Sequence, residues 1–186
     1  MIHGLNRQQF FAWVEQQPDG KRYELDHGEP IAMAPERARH NVMKALIWQA
    51  FDRELRRRGA KGCQAFTDGM TVYVDDDNVF EPDALINCGP PVDPLAIVAP
   101  SPVVIVEVTS DSSRGVDTGR KMAAYFRLPS VMHYLIVFYD KRTIIHHALQ
   151  DGDTILSRIL SGGTIPLDPP GIDLDMDEVY RLADGG

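Results

Sequence analysis

Apolar residues along the chain switch repeatedly between the helical period of about 3.6 and the strand period of 2. Asn6 is placed to cap a short helix reaching Gln17, with Phe10, Phe11 and Val14 on its apolar side and Pro18-Asp19-Gly20 ending it. Tyr23 to Met33 reads as two extended pieces around a turn at His27-Gly28. The longest helical signal runs from about Arg37 to Arg58. Val42, Ala45, Leu46, Gln49, Ala50 and Arg53 form its predicted inner stripe, and Gly59 is a natural stop.

The middle of the chain favours strands. Met70–Val74 and Pro82–Ile86 are two runs, and the Pro-rich stretch from Pro90 to Pro102 is apolar enough to pack as a loop on the body. Val103–Val108 is nearly continuous in β-branched residues and is the most buried-looking strand. A polar stretch leads to a helix from about Asp117, carrying Tyr125 and Phe126 in its last turns and followed by Pro129. Tyr134–Phe138 and Thr143–His147 predict a hairpin turning at Tyr139–Arg142, and a helical turn closes the chain around Met176–Leu182. The pattern predicts an α/β (α+β) fold in a single domain over residues 1–186, with a central mixed sheet flanked by helices.

Composition narrows the function classes. The chain has 186 residues, 27 Asp and Glu against 19 Lys and Arg, and a formal charge of -8. That balance argues against a coating nucleic-acid binder held by many phosphate contacts, but not against an enzyme that meets phosphate through a bound cation. Cys63 and Cys88 stand apart without CxxC spacing, so two free thiols are expected rather than a zinc site or a disulfide. The N-terminus lacks signal-peptide character and no apolar run approaches a membrane span, so a soluble, cytoplasmic protein is expected.

Glu107 interrupts the most apolar strand, and a lone buried carboxylate is costly unless paired or bound to a metal. Asp83, directly after Pro82, repeats the pattern at the start of another strand. Two such carboxylates at neighbouring strand ends suit a divalent cation with oxygen ligands. Lys121 lies one turn into the following helix, spaced either for an ion pair with Asp117 or to reach back over the Glu107 strand; Tyr125 is one turn further on the same face. His40 opens the long helix as a packing residue or a cleft residue. Arg53, Arg56, Arg57 and Arg58 form the one dense basic cluster, suited to a solvated last turn or to phosphate contact. His146-His147 point to opposite faces of a strand expected at a sheet edge, and Asp173, Asp175 and Asp177 lack the glycine and closing glutamate of a calcium loop.

Pro82-Asp83, a buried strand ending Glu107-Val108-Thr109-Ser110, and Asp117-x-x-x-Lys121-x-x-x-Tyr125 together resemble the PD-(D/E)xK nuclease superfamily. More closely, they resemble the Uma family of restriction endonucleases. Tyr23-Glu24-Leu25-Asp26-His27-Gly28-Glu29, Pro35 followed by His40, and Tyr134–Val137 follow that family's order, so the resemblance covers roughly residues 5 to 180. Thr109 stands where the superfamily lysine is usual; in the Uma family that lysine moves to the following helix, where Lys121 is found.

The resemblance implies a restriction-endonuclease-like core. It implies Asp83, Glu107 and the Val108 carbonyl as metal ligands, Lys121 as the catalytic lysine and Glu24 as a helper carboxylate. It further implies Mg²⁺ or Mn²⁺, a DNA phosphodiester substrate, often a homodimer, and no organic cofactor. His40 and Tyr125 are accessory candidates, and Arg114 and Arg120 join the arginine cluster as candidate DNA contacts. The competing expectations are a nuclease-like module that binds DNA or protein without turnover, and a cation-dependent hydrolase of RNA or another phosphate ester.

Overall fold

In the computed structural model, residues 4–110, 117–151 and 153–185 are described. Helix α1 (Arg7–Val14) begins at Asn6, where a capping box links the Asn6 side chain to the Gln9 amide and the Gln9 side chain to the Asn6 amide. Strands β1 (Tyr23–Asp26) and β2 (Glu29–Ala32) form the expected hairpin. Its two-residue turn needs positive φ at both positions, 50° at His27 and 78° at Gly28. A Cβ on Gly28 would also lie 2.9 Å from the Gly4 backbone, so a side chain is excluded there.

Helix α2 (Ala38–Arg58) stops at Gly59, whose left-handed φ of 62° lets its amide bond back to the last turn. Its inner face is rotated from the predicted stripe. Met43, Lys44, Ile47, Ala50, Phe51 and Leu55 are buried, whereas Val42, Ala45, Gln49 and Arg53 are exposed. Strand β3 (Cys63–Thr67) follows, then the short β4 (Val72–Tyr73) and β5 (Val79–Phe80), then β6 (Ala84–Cys88) and β7 (Pro102–Thr109). The Pro-rich segment before β7 is held by a bridge between Thr71 and Val98 and by buried Ala99, but its Leu95 is 91% exposed.

Helix α3 (Asp117–Tyr125) crosses from β7 to the parallel strand β8 (His133–Phe138), which returns as β9 (Thr143–Leu149) and then β10 (Ile155–Leu160). The strands β11 (Thr164–Leu167) and β12 (Ile172–Asp175) pair separately and lead into α4 (Met176–Ala183). The main sheet has the order β10-β9-β8-β7-β6-β3, and a smaller sheet has the order β2-β1-β5-β4. Only β7 and β8 run parallel within the main sheet, so it is mixed, as expected.

Alternation along β7 and β8 assigns the two faces. Val104, Val106, Leu135 and Val137 share one cluster with Met43, Ile47 and Phe51 of α2 and Val179 of α4. Ile105, Tyr134, Ile136 and Phe138 share the other with Ala124 and Tyr125 of α3. Helices therefore cover both faces. The chain passes from the small sheet to the main one through Glu81-Pro82-Asp83, which sets Asp83 where the sheets meet.

Two local expectations are corrected. Cys63 and Cys88 are not free thiols: they form a disulfide, because the antiparallel register of β3 and β6 sets them opposite each other with Cα atoms 4.1 Å apart. His146 is not on an edge strand, because β10 covers β9; it is buried and lies 3.0 Å from His133. The alternating aspartates share no site, as expected, and each is wholly or partly exposed to solvent. Asp175 caps α4, Asp173 meets Arg58 at 2.5 Å, and Asp177 accepts from the Gly163 amide.

Candidate functional site

A cleft of about 470 Å³ opens at the junction of the two sheets, lined among others by Glu24, Glu36, His40, Asp83, Glu107 and Lys121. Each comes from a different local cause. Glu24 is on β1, Asp83 precedes β6, Glu107 is near the end of β7, and Lys121 is on the crossover helix α3.

Asp83 is buried and its Oδ2 accepts the Val108 amide at 2.6 Å. The His40 Nε2 stands 3.3 Å from the same carboxylate oxygen and 2.8 Å from the Val108 carbonyl. On the other side of the ring, His40 Nδ1 is 3.3 Å from Glu36. Burial pulls the His40 pKa down, but the hydrogen bond to Asp83 and the charges of Asp83 and Glu36 more than offset this and leave it raised.

Lys121 points inward. Its ammonium donates to Glu24 at 2.9 Å and to Glu107 at 3.2 Å, and the side chain is only 9% exposed. The Tyr125 hydroxyl donates to the same Glu107 oxygen at 3.0 Å. Burial pushes Glu107 up to about 8 despite Lys121, with the charges of Asp83 and Glu24 adding to the rise. Burial and the neighbouring Glu107 hold Tyr125 well above the ordinary phenol range. The Glu24 carboxylate also accepts the Glu81 amide at 2.9 Å, tying β1 to the chain crossing.

A second tier of charges escaped the sequence reading. Lys44, buried on α2, meets Glu36 at 2.5 Å, Asp68 at 3.0 Å and Asp83 at 3.7 Å. Arg22 links Asp68 at 2.8 Å to Glu81. Two signals were present. Glu36, His40 and Lys44 recur every fourth residue, and Lys44 is a lone charge inside the stripe Met43, Ile47, Phe51. That is the same anomaly that singled out Glu107.

The arginine cluster is elsewhere. Arg53 pairs with Glu178 at 2.5 Å, Arg56 with Asp52 at 2.8 Å, Arg57 with Glu54 at 2.5 Å, and Arg58 with Asp173 at 2.5 Å. At about 1.5 Å rise per residue these positions lie ~20–27 Å along α2 from His40. Arg120, beside Lys121, is 3.7 Å from Asp26. Arg114 and the Asp117 side chain lie outside the described residues.

The sheet order, the two-sided helical cover and the cleft define a restriction-endonuclease-like nuclease fold. The profile of the Uma2 family, described as "Putative restriction endonuclease", matches residues 7–177, and the chain belongs to that family. It is 24% identical over 179 residues to the uncharacterised protein slr1290 of Synechocystis, covering 95% of this chain and 92% of that one. A crystal structure described as a "putative nuclease belonging to DUF820" from Anabaena variabilis superposes with a TM-score of 0.75 at 10% identity, covering 96% of this chain and 99% of that chain. That likeness is one of fold. Among the described residues no helix is long and apolar enough to cross a membrane.

Proposed function

We propose that the protein is a divalent-cation-dependent endonuclease that hydrolyses DNA phosphodiester bonds. One observation carries the reading: Asp83, the Val108 carbonyl, Glu107 and an inward-pointing Lys121 converge on one cleft in a chain of this family. The donor set fits a hard cation, since carboxylates and a carbonyl oxygen are the ligands Mg²⁺ and Mn²⁺ take. Asp83, Glu107 and the Val108 carbonyl would hold the ion, which supplies a more acidic bound water and neutralises charge on the phosphate.

The remaining steps belong to the chain's own groups. The Lys121 ammonium orients the attacking water and stabilises the charge that develops on the phosphate oxygens. Glu24, sharing that ammonium, receives the proton. Tyr125 fixes the Glu107 carboxylate from behind through its hydroxyl. Arg120 is the arginine assigned to DNA contact near the cleft. Arg53, Arg56, Arg57 and Arg58 would touch only DNA extending far past it. The cleft draws on segments from Glu24 to Lys121, which supports reading residues 1–186 as one nuclease domain; we take that domain as a cytoplasmic homodimer.

Nicking of supercoiled plasmid with Mg²⁺ or Mn²⁺ tests the reading. The wild type should nick, EDTA should stop it, and Glu107→Ala should be inactive. No cleavage by the wild type at high enzyme would sink the DNA claim, and cleavage of RNA or a simple phosphate ester in parallel reactions would redirect it.

A further inference from the structure

We propose that His40 is itself a ligand of the cleft cation, through Nε2, and that it biases the site toward a first-row transition ion such as Mn²⁺ over Mg²⁺. The inference rests on the metal-dependent reading above and deepens it by naming a ligand and the class of ion it selects.

The imidazole edge faces two oxygens of the kind that hold a cation, at spacings a shared ion would also set. Nε2 is 2.8 Å from the Val108 carbonyl oxygen and 3.3 Å from Asp83 Oδ2. Two ligands bound at about 2.1 Å and at right angles on one cation lie about 3 Å apart, so these spacings are those of neighbouring donors around a shared ion. The carbonyl accepts only, and so does the carboxylate when ionised, leaving the imidazole N–H to serve both in the absence of a cation. Exchanging that proton for a cation leaves all three donor atoms facing one centre.

The far side of the ring is arranged in the same sense. Glu36 stands 3.3 Å from Nδ1 and is itself held by buried Lys44 at 2.5 Å. Glu36 faces Nδ1 as a charge partner, and a carboxylate on that side of the ring leaves Nε2 turned toward the cation, the side on which a metal-bound histidine usually has its supporting group. Glu36, His40 and Asp83 have candidate ligand atoms all within 4.8 Å of one another, but Glu36 meets the nitrogen that faces away from Asp83 and Val108. We therefore place Glu36 as the group that orients the ring, and His40 as the ligand. Mg²⁺ prefers oxygen donors and retains its waters, whereas transition ions gain from an imidazole.

Pulsed EPR of the Mn²⁺-loaded protein reads the ligand directly, with calorimetric titration of Mn²⁺ and Mg²⁺ alongside. The wild type should show coupling to a bound imidazole nitrogen that changes when histidine is ¹⁵N-labelled, a comparison that needs no variant. In His40→Gln, with folding checked by circular dichroism, that coupling should vanish. Its Mn²⁺ affinity should fall at least about tenfold while Mg²⁺ affinity moves less than about threefold. Mn²⁺ binding without nitrogen coupling, coupling that survives in His40→Gln, or an equal loss for both ions would overturn the proposal while leaving the nuclease reading intact. A wild type that binds neither ion would overturn both.

Discussion

The two ends of α2 carry the same kinds of side chain to opposite effect. At its N-terminal end, His40 and Lys44 are enclosed and meet Glu36, one turn before His40, and Asp68 and Asp83 from remote segments. At its C-terminal end four arginines are exposed, two of them paired with neighbours on the same helix and two with acids near the end of the chain. Exposed pairs are screened by water and salt and add little. Enclosed ones are costly to desolvate and persist where geometry satisfies them. The proposed chemistry therefore falls at the enclosed end and not at the arginine-rich one.

The largest effect should come from breaking the enclosed end. Lys44→Met strands Glu36, Asp68 and Asp83 without their shared cation and should destabilise the fold by about 3–5 kcal/mol in urea unfolding. Next, Lys121→Met should lower DNA cleavage by ~10²–10³ in turnover by removing a charge aimed at the cleft, read in single-turnover kinetics.

A third buried site sharpens the contrast between charged and neutral burial. Desolvation lowers the His146 pKa to about 4, with His133 adding to the fall, and burial lowers His133 as well. An unfolded imidazole binds its proton near pH 6.5, so between about 6.5 and 4 the unfolded chain holds more protons than the folded one. The stability this pair retains at neutral pH should be lost as pH falls through that window, by on the order of 3 kcal/mol. His146→Gln should flatten that part of the profile in thermal melts. At the other extreme, Arg56→Ala and Arg57→Ala should leave both melting temperature and plasmid nicking unchanged. A loss of nicking in either would give the arginine end a functional part and break the comparison.

What was legible in the sequence depended on how local the cause was. The Asn6 cap, the His27-Gly28 turn and the Gly59 stop are written in adjacent residues. Glu107 was visible because a carboxylate in a β-branched run has no local excuse, and Lys121 because the family pattern looks for it on that helix. Lys44 was hidden by a stripe assigned one position off: Val42 took the place of Met43, which turned the lysine toward solvent. Asp68 and Arg22 have no local signature, since their partners arrive through the register of β3 and the crossing at Glu81. The disulfide has the same origin, in a β3–β6 pairing that spacing alone does not reveal. His146 was misjudged because β10, with Ser157 and Arg158 in its middle, is a weak strand by composition yet completes six rungs with β9.

Anomalous diffraction from crystals soaked in Mn²⁺ decides whether this cleft is the cation site that phosphodiester hydrolysis here would need. One dominant peak is expected within about 2.0–2.6 Å of Asp83, Glu107 and the Val108 carbonyl oxygen. A protein that binds Mn²⁺ with its dominant peak outside this cleft, Lys121 still closed on Glu24 and Glu107, would contradict it.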